Sequence, residues 1–409
     1  MRLTLADLCD AIVDCEHKTA PEGDGFALSI GTRAMKNGRL VVDACKPVSE
    51  ATYDAWTRRM RPAPGDLVLA REAPVGQVIR VPDHRRICLG QRTVLIRPDR
   101  AKVHPRFLHY WLLGPDAQGP MTAHAGGATV AHLNVEDIRS LSVTKLPEDP
   151  RLQLFAASAL GALDDLIEIS YRRVQVLEEM ARAIYREWFV HFRYPGHEDA
   201  SLVDSPLGPI PYGWSVSPLF EVADIGFGFS FKSKRFAEEG PFPVIRIRDV
   251  LSGTTRTFTD EAPSERYRVV DGDVLIGMDG EFHLRQWSGG DAWLNQRVAR
   301  LRPLKGLSAR HLLFAVADPI KEWNEAIVGT TVAHLGKSHL EQIQIVLPPP
   351  RLLAKAAQVL SHAADQECAL LKANRILASV RDLLLPRLVT GQIDVSALDL
   401  GALLEAGAA

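Results

Sequence analysis

The side chains best able to do chemistry in this sequence occur as pairs, about 200 residues apart. His132 and His334 each follow Thr-Val-Ala, and Gln91-Arg92 recurs as Gln296-Arg297. Histidine can bind a metal or a phosphate, while arginine and glutamine can bind phosphates or the edges of bases. No second ligand lies at metal spacing from either histidine, so we predict no metal site. A structural role at a turn stays open for both pairs.

Sequence motifs provide little evidence for catalytic activity. Residues 224–228 (Asp-Ile-Gly-Phe-Gly) resemble the glycine-rich loop in which methyltransferases hold the methyl donor. The Asn/Asp-Pro-Pro-aromatic loop that should accompany it is absent, because the proline run at 348–350 follows Leu347 and precedes Arg351. The sequence also lacks a G-x-x-x-x-G-K-[ST] loop, a nucleophile elbow and HExxH. We therefore predict a chain without catalytic activity, with an autonomous methyltransferase as an alternative.

Composition is that of a folded, water-soluble protein of two to four domains. The chain has 409 residues, of which 46% are hydrophobic and 24% charged. It has no apolar run long enough to span a membrane, and Asp7 interrupts any signal-peptide core. Five scattered cysteines without a CxxC favour reduced thiols. We expect a cytoplasmic protein without a membrane partner.

Charge is unevenly distributed. The net charge is -2, but residues 17–110 contain 17 Lys/Arg and 9 Asp/Glu, a local balance of +8. A local basic field can attract nucleic acid to a protein that is neutral overall. A solvated surface of mixed charge would give the same count, so charge alone leaves both interpretations open.

The chain repeats itself once. Four blocks recur in the same order at offsets near 200, namely 64–69 with 271–276, 89–94 with 294–298, 128–133 with 330–335, and 145–147 with 346–349. Each copy reads as an α+β globule of short strands separated by Gly/Pro turns. We predict strands at 94–96 and 244–248, and short helices at 106–113 and 309–316.

A heptad pattern follows each copy and predicts long helices over 151–190 and 351–385, the second ended by Pro386. At ~1.5 Å per residue the first would reach roughly 60 Å. Each helix packs either against the other, as an antiparallel coiled coil, or against its own globule. The seam positions are Leu160, Leu163, Ile167, Val174, Leu177, Ile184 and Trp188, then Val359, Ala363, Leu370, Ala373, Leu377, Val380 and Leu384, with Ser170 and Ala181 as weak positions.

These blocks resemble the specificity (S) subunit of type I restriction–modification systems. The resemblance covers about residues 5–396 and is carried by 129–133 and 331–335 (Thr-Val-Ala-His-Leu), 14–21, 187–192, and 381–391 with 393–394. The Glu-Gln pair that family members commonly have at each helix entry is absent after Pro147 and Pro350. The predicted fold is α+β, with two target-recognition domains in tandem separated by two long helices. The predicted divisions are 1–147 (first recognition domain), 148–193 (central helical spacer), 194–213 (linker), 214–347 (second recognition domain), 348–391 (distal helix) and 392–409 (tail).

The resemblance implies a non-catalytic subunit that reads a bipartite, asymmetric, gapped site on double-stranded DNA. It would scaffold two modification (methyltransferase) subunits and the restriction/translocase subunits. S-adenosylmethionine, ATP and Mg²⁺ would bind to those partners, and no cofactor would bind to this chain. The alternative is a protein-binding coiled-coil scaffold without DNA readout.

The candidate DNA-binding residues lie in polar, turn-rich stretches. Lysine and arginine suit phosphates, arginine suits guanine, and asparagine or glutamine suits adenine. If 244–248 is a strand, Arg246 and Arg248 share one face of it. An ordinary solvent-facing side chain is the alternative at each position. The candidates are His17, Lys18, Arg33, Lys36, Asn37, Gln91 and Arg92 in the first half, and Lys232, Ser233, Lys234, Arg246, Arg248, Gln296 and Arg297 in the second.

Overall fold

The structure, a computed structural model, describes residues 3–124, 132–326 and 334–393. The chain divides into two compact units. The first is Met1–Leu166 with Leu377–Ala409, and the second is Ile167–Ile376. Each unit contains one globular head together with segments of both long helices. None of the described helices combines the length and the apolar character that a membrane crossing requires.

The first head is built on an antiparallel sheet of order β1-β9-β6-β7 and a smaller sheet of order β5-β2-β8, in which β2 and β8 run parallel. Leu67 and Leu69 of the larger sheet pack with Phe107 and Trp111 of α2 in one buried core. The elements are β1 (Cys9–Asp14), β2 (Ala27–Ile30), β3 (Met35–Lys36), β4 (Arg39–Leu40), β5 (Lys46–Val48), α1 (Glu50–Trp56), β6 (Leu67–Ala70), β7 (Val78–Arg80), β8 (Ile87–Leu89), β9 (Thr93–Pro98), α2 (Pro105–Leu113), α3 (Pro115–His124) and α4 (Val135–Arg139).

The second head repeats this plan. Its sheets have the orders β13-β20-β17-β18 and β15-β14-β19-β16, with β14 and β19 parallel, so the predicted duplication is confirmed. The elements after the first head are α5 (Pro150–Tyr185), β10 (Leu202–Val203), β11 (Ile210–Pro211), β12 (Ser215–Pro218), α6 (Leu219–Val222), β13 (Ala223–Phe227), β14 (Phe242–Ile245), α7 (Ile247–Ser252), β15 (Phe258–Thr259), β16 (Arg268–Val269), β17 (Val274–Gly277), β18 (Leu284–Gln286), β19 (Ala292–Leu294), β20 (Val298–Pro303), α8 (Ala309–Ala326), α9 (Lys337–Leu340), β21 (Gln344–Leu347) and α10 (Pro350–Val389).

The predicted seam of the first long helix lies on the buried face of α5. A π-helical turn, Arg186–Val190, continues α5 to the predicted end. Leu160, Ile167, Val174 and Ala181, spaced seven residues apart, are buried. The remaining seam residues are half-buried, namely Leu163, Ser170, Leu177, Ile184 and Trp188. An apolar residue every three or four positions gives one continuous buried stripe, as expected for a helix that packs along its length.

The predicted seam of α10 is partly wrong. Leu370, Leu377 and Leu384 are half-buried, but Val380 is 39% exposed, and Val359 and Ala373 are also exposed. The buried positions follow another heptad series, and half of that series is polar. It is Leu353, Leu360, Glu367, Asn374, Arg381 and Leu388, of which Glu367 is half-buried. A search for apolar periodicity passes over the polar members, because partners elsewhere in the fold stabilise their burial.

Those partners also show that the long helices run antiparallel. In the first unit, Arg381 Nη1 lies 2.9 Å from Asp164 Oδ1, and in the second unit Asn374 Nδ2 donates to the Ile167 carbonyl over 3.4 Å. The residue numbers fall along one helix as they rise along the other. Both helices also pack on the heads. Arg106 pairs with Asp165 at 2.6 Å, and the corresponding Arg310 pairs with Glu367 at 2.5 Å.

Two further local predictions are wrong. Pro386 does not end α10, which continues to Val389. The missing N–H removes a single bond in the last turn, while Leu385, Leu388 and Val389 are buried in the core of the first head. Residues 244–248 do not form one strand, because β14 ends at Ile245 and α7 begins at Ile247. There the Asp249 carboxylate accepts from the Arg246 N–H over 2.9 Å and stabilises the start of the helix.

We expect His311 on α8 to make the second unit sensitive to acid. Burial lowers the pKa of His311 to about 3, and its ring contacts Phe189 and Tyr185. The unfolded chain takes up a proton near pH 6.5, so the stability is complete above that pH and is lost as the pH falls toward 3. Between pH 7 and pH 5 the free energy of unfolding should fall by about 2 kcal/mol from this residue.

Urea unfolding at both pH values measures this loss. The variant His311→Phe should lose about 2 kcal/mol less than the native chain. Val316→Ala, at a buried position of the same helix, should lower stability equally at pH 7 and pH 5. An unchanged pH dependence in His311→Phe would show that other groups cause the acid sensitivity.

Candidate nucleic-acid interface

In the first head, four strands end at one edge, which we call the carboxyl edge. They are β1, β2, β6 and β8. Strands β1 and β6 both pair antiparallel with β9, and their last residues lie beside the start of that strand. The turn Gly90–Arg92 joins β8 to β9, and the Gly90 N–H donates to the Ile30 carbonyl at the end of β2 over 2.9 Å. Loops that follow these strands therefore meet at this edge.

The predicted residues of the first head all lie at the carboxyl edge. His17 and Lys18 lie in the loop after β1, and Arg33 lies in the turn after β2. Lys36 and Asn37 lie at the β3–β4 hairpin, where the Asn37 N–H donates to Gln77 Oε1 over 3.0 Å. All five are exposed. The structure thus gathers cations and an amide from separate parts of the sequence.

Gln91 connects two loops, as the structural alternative supposed. Its Oε1 accepts from the Thr19 hydroxyl over 3.2 Å, and its Nε2 donates to the His17 carbonyl over 3.3 Å. The corresponding Gln296 holds its neighbouring loop through the backbone instead, where its N–H donates to the Phe229 carbonyl over 2.7 Å. The Gln296 side chain is exposed.

Arg92 belongs to a compact cluster with a carboxylate and a histidine. Arg92 Nε lies 3.0 Å from Glu72 Oε2, and His132 Nδ1 lies 2.6 Å from Glu72 Oε1. Arg71, which is buried, approaches His132 Nε2 at 3.3 Å. Glu72 thereby holds the two side chains that the sequence singled out, although its own role was missed.

The second head has an equivalent carboxyl edge, where β13 and β17 end beside the start of β20, and β14 ends beside the end of β19. This edge contains the corresponding cluster. Arg297 Nε lies 3.4 Å from Asp279 Oδ2, and His334 Nδ1 lies 2.6 Å from Asp279 Oδ1. In both heads the histidine and the acid form an isolated antiparallel bridge. Asp279 follows β17 as Glu72 follows β6, two residues after each strand ends. Aligning the two copies at this point would have identified both acids from the sequence.

The remaining candidates of the second head are placed less uniformly. Arg248 lies three residues after Ile245, the strand residue that pairs with Leu294, as Arg33 lies three residues after Ile30, which pairs with Leu89. Arg246 is the N-cap residue that precedes α7, and its guanidinium lies 5.4 Å from the Phe236 ring centre.

Lys232, Ser233 and Lys234 are exposed and lie toward the start of β14 rather than its carboxyl end. The Lys232 N–H donates to the Glu261 carboxylate over 2.7 Å, and Glu261 follows β15, whose last residue pairs with the first residue of β14. The three residues therefore do not occupy the positions that His17 and Lys18 hold in the first head.

One group at the first carboxyl edge has the donor types of a metal site. Asp14, Cys15 and His17 bring ligand atoms within 4.8 Å of one another. However, Arg71 Nη1 donates to both Asp14 oxygens, over 2.8 and 2.7 Å. A guanidinium in that position repels a cation and already occupies the carboxylate. Asp14 therefore fits an ion pair that also orients His17, whose Nε2 lies 2.9 Å from Asp14.

Comparison with known proteins covers both heads. The family model for the type I restriction modification DNA specificity domain matches residues 211–376, which contain the second head. The MjaIX specificity subunit of a type I restriction enzyme from Methanocaldococcus jannaschii is 23% identical over 358 residues, covering 82% of this chain and 79% of that protein. Over most of its length, this chain is therefore similar to specificity subunits of type I restriction–modification systems.

Other specificity subunits are also similar to this chain. The EcoBI specificity subunit from Escherichia coli is 32% identical over 186 residues, which cover 44% of this chain and 39% of that protein. The crystal structure of a type I S subunit from M. genitalium has the same fold, with a TM-score of 0.54 and 16% identity over 95% of this chain and 96% of that one. The names are those of specificity subunits, the family that the sequence blocks resemble.

Proposed function

We propose that this chain reads a bipartite, asymmetric, gapped site on double-stranded DNA, one half-site at each carboxyl edge. The observation that carries the proposal is the pair of equivalent carboxyl edges bearing different loops. Two similar edges can bind two stretches of the same DNA duplex. Loops that differ between the edges can recognise different base sequences. The names of the relatives, which are specificity subunits of restriction enzymes, support the same role. The domain limits predicted from the sequence remain part of this proposal.

Selection from a random duplex pool tests this function. The full chain should enrich two short motifs separated by a fixed number of unspecified bases, and binding should weaken steeply with salt. A scaffold without DNA readout would enrich no motif. An autonomous methyltransferase would bind S-adenosylmethionine in calorimetry, whereas we place that donor, ATP and Mg²⁺ on the partner subunits.

A second duplicated feature, suited to binding partner proteins, is an exposed apolar patch on each long helix. Val176 and Met180 on α5 are 53% and 55% exposed, and Ile376 and Leu383 on α10 are 66% and 65% exposed. Val176 and Ile376 are 200 residues apart, the offset of the internal repeat. Exposed apolar stripes of this kind mark protein-binding surfaces. We propose that each patch binds one copy of a modification subunit, and that the restriction/translocase subunits join the resulting complex.

A charge in either patch should remove one partner copy. In Val176→Glu or Ile376→Glu, the complex with the modification subunit should lose the mass of one such subunit, because a carboxylate would be buried without a counter-ion. The double variant should lose both. Gln175→Glu and Gln358→Glu, at exposed polar positions of the same helices, should assemble normally. Light scattering of the purified complex measures the mass, and full assembly of the double variant would reject these patches.

A further inference from the structure

The two carboxyl edges share one side-chain cluster and differ in almost everything around it. In each cluster an acid holds a histidine at 2.6 Å and an arginine at 3.0 or 3.4 Å. The surrounding loops have no such correspondence. The β3–β4 hairpin of the first head has the helix α7 in its place in the second, and the charged loop at His17 corresponds to one containing Phe229 and Phe231.

A group that is the same in both heads cannot distinguish two different half-sites. Base edges differ from one sequence to another, whereas the sugar–phosphate backbone presents the same anion everywhere. The shared cluster is therefore suited to the sugar–phosphate backbone, which is the same in both half-sites. The loops that differ between the heads are suited to the base edges, which differ between the half-sites.

The backbone at the two arginines points to a requirement for the side chain. Arg92 has φ +71° and Arg297 has φ +72°, the left-handed region in which glycine is the least strained residue. Both copies nevertheless have arginine there. The two side chains are 48% and 51% exposed, so the anchored guanidinium remains accessible to a ligand.

We propose that the clusters Arg92–Glu72–His132 and Arg297–Asp279–His334 bind the DNA backbone, one phosphate in each head, and leave base reading to the unlike loops. This proposal rests on the proposed function. The acid fixes the arginine and the histidine before DNA arrives, so that less side-chain entropy is lost on binding. Arg71 and Asp14 flank the first cluster as a neutral pair. Met278 occupies the place of Arg71 in the second, and among the described residues His334 Nε2 has no partner.

The test uses the full chain and a mixed-sequence duplex of roughly three helical turns. Arg92→Gly and Arg297→Gly remove the side chain and suit the left-handed backbone, so both variants should fold at least as stably as the native chain. Each should weaken binding about tenfold and make the negative slope of log K against log salt shallower by about 1, and the double variant should make it shallower by about 2. Arg92→Lys and Arg297→Lys should restore the slope because they restore the charge. Arg85→Ala and Lys321→Ala remove exposed cations elsewhere on the two heads and should leave the slope unchanged.

The other possible outcomes contradict different parts of the two proposals. An unchanged slope in both glycine variants, or a loss of thermal stability in them, would assign the clusters a structural role. A changed motif in one half-site after pool selection would make them base readers. If the native chain selects no motif, the proposed function fails, whatever the slopes show.

Discussion

Removing residues 166–172 from α5 together with residues 369–375 from α10 should give a subunit that recognises a shorter gap. The two segments lie opposite each other, because Ile167 in one contacts Asn374 in the other. Each deletion removes one heptad, so the remaining seam keeps its phase. The contacts Arg381–Asp164, Arg106–Asp165 and Arg310–Glu367 lie outside the deleted segments.

The expected change follows from helix geometry. Seven residues at ~1.5 Å each shorten the pair of helices by roughly 10 Å, the length of about three base pairs. Each base pair also turns the DNA by about a tenth of a revolution, so the heads can follow a shortened site only in part. We expect the gap to shorten by roughly one to three base pairs, with weaker binding.

Methylome sequencing of cells that express the variant with the modification subunit reads the gap directly. Both half-site sequences should remain those of the native chain, because the heads are intact. Deleting residues 166–172 alone is the control. It leaves Asn374 and its neighbours opposite a missing heptad and should abolish methylation. A paired deletion that methylates the native site with the native gap would reject the helices as the spacer.

Replacing Arg381 should destabilise the first unit more than any other single change we propose. Its side chain and that of Asp164 are 11% and 15% exposed. Burial lowers the pKa of Arg381, but the hydrogen bonds with Asp164 and Asp382 outweigh that effect and raise it. Tyr110 also donates to Asp164, over 2.6 Å. In Arg381→Met the carboxylate remains buried without its cation, and the free energy of unfolding should fall by about 3 kcal/mol.

Urea unfolding of the full chain measures this effect, and two variants interpret it. The triple variant Asp164→Leu/Tyr110→Phe/Arg381→Met removes the three buried members of the network and leaves Asp382, which is 64% exposed. It should regain most of the lost stability, since apolar replacements of a buried ion pair are often neutral. Arg172→Met removes a helix cation that pairs with Glu168 and is 63% exposed, and should change stability by about 0.5 kcal/mol at most. If the triple variant is no more stable than Arg381→Met, the loss of stability comes from packing and not from the unpaired charge.

The sequence indicated only some of the residues at the carboxyl edges. The pairs Gln91-Arg92 and Gln296-Arg297 could be found because they lie beside the strands of a repeat. Glu72 and Asp279 could not be found without aligning the copies, since a single acid after a strand resembles any solvated residue. The contact of Arg71 with Asp14 joins residues far apart in the chain, and no local pattern indicates it.

By itself, the sequence determined the duplication, the α+β class of the heads and the buried face of α5, because those features are written as repeated blocks and as periodic apolar residues. Only the tertiary structure decided the buried face of α10, where Glu367, Asn374 and Arg381 occupy heptad positions. Burial of a polar side chain depends on the partner it meets, such as Arg310, the Ile167 carbonyl or Asp164. Those partners come from other elements, so the periodicity of one helix carries no trace of them.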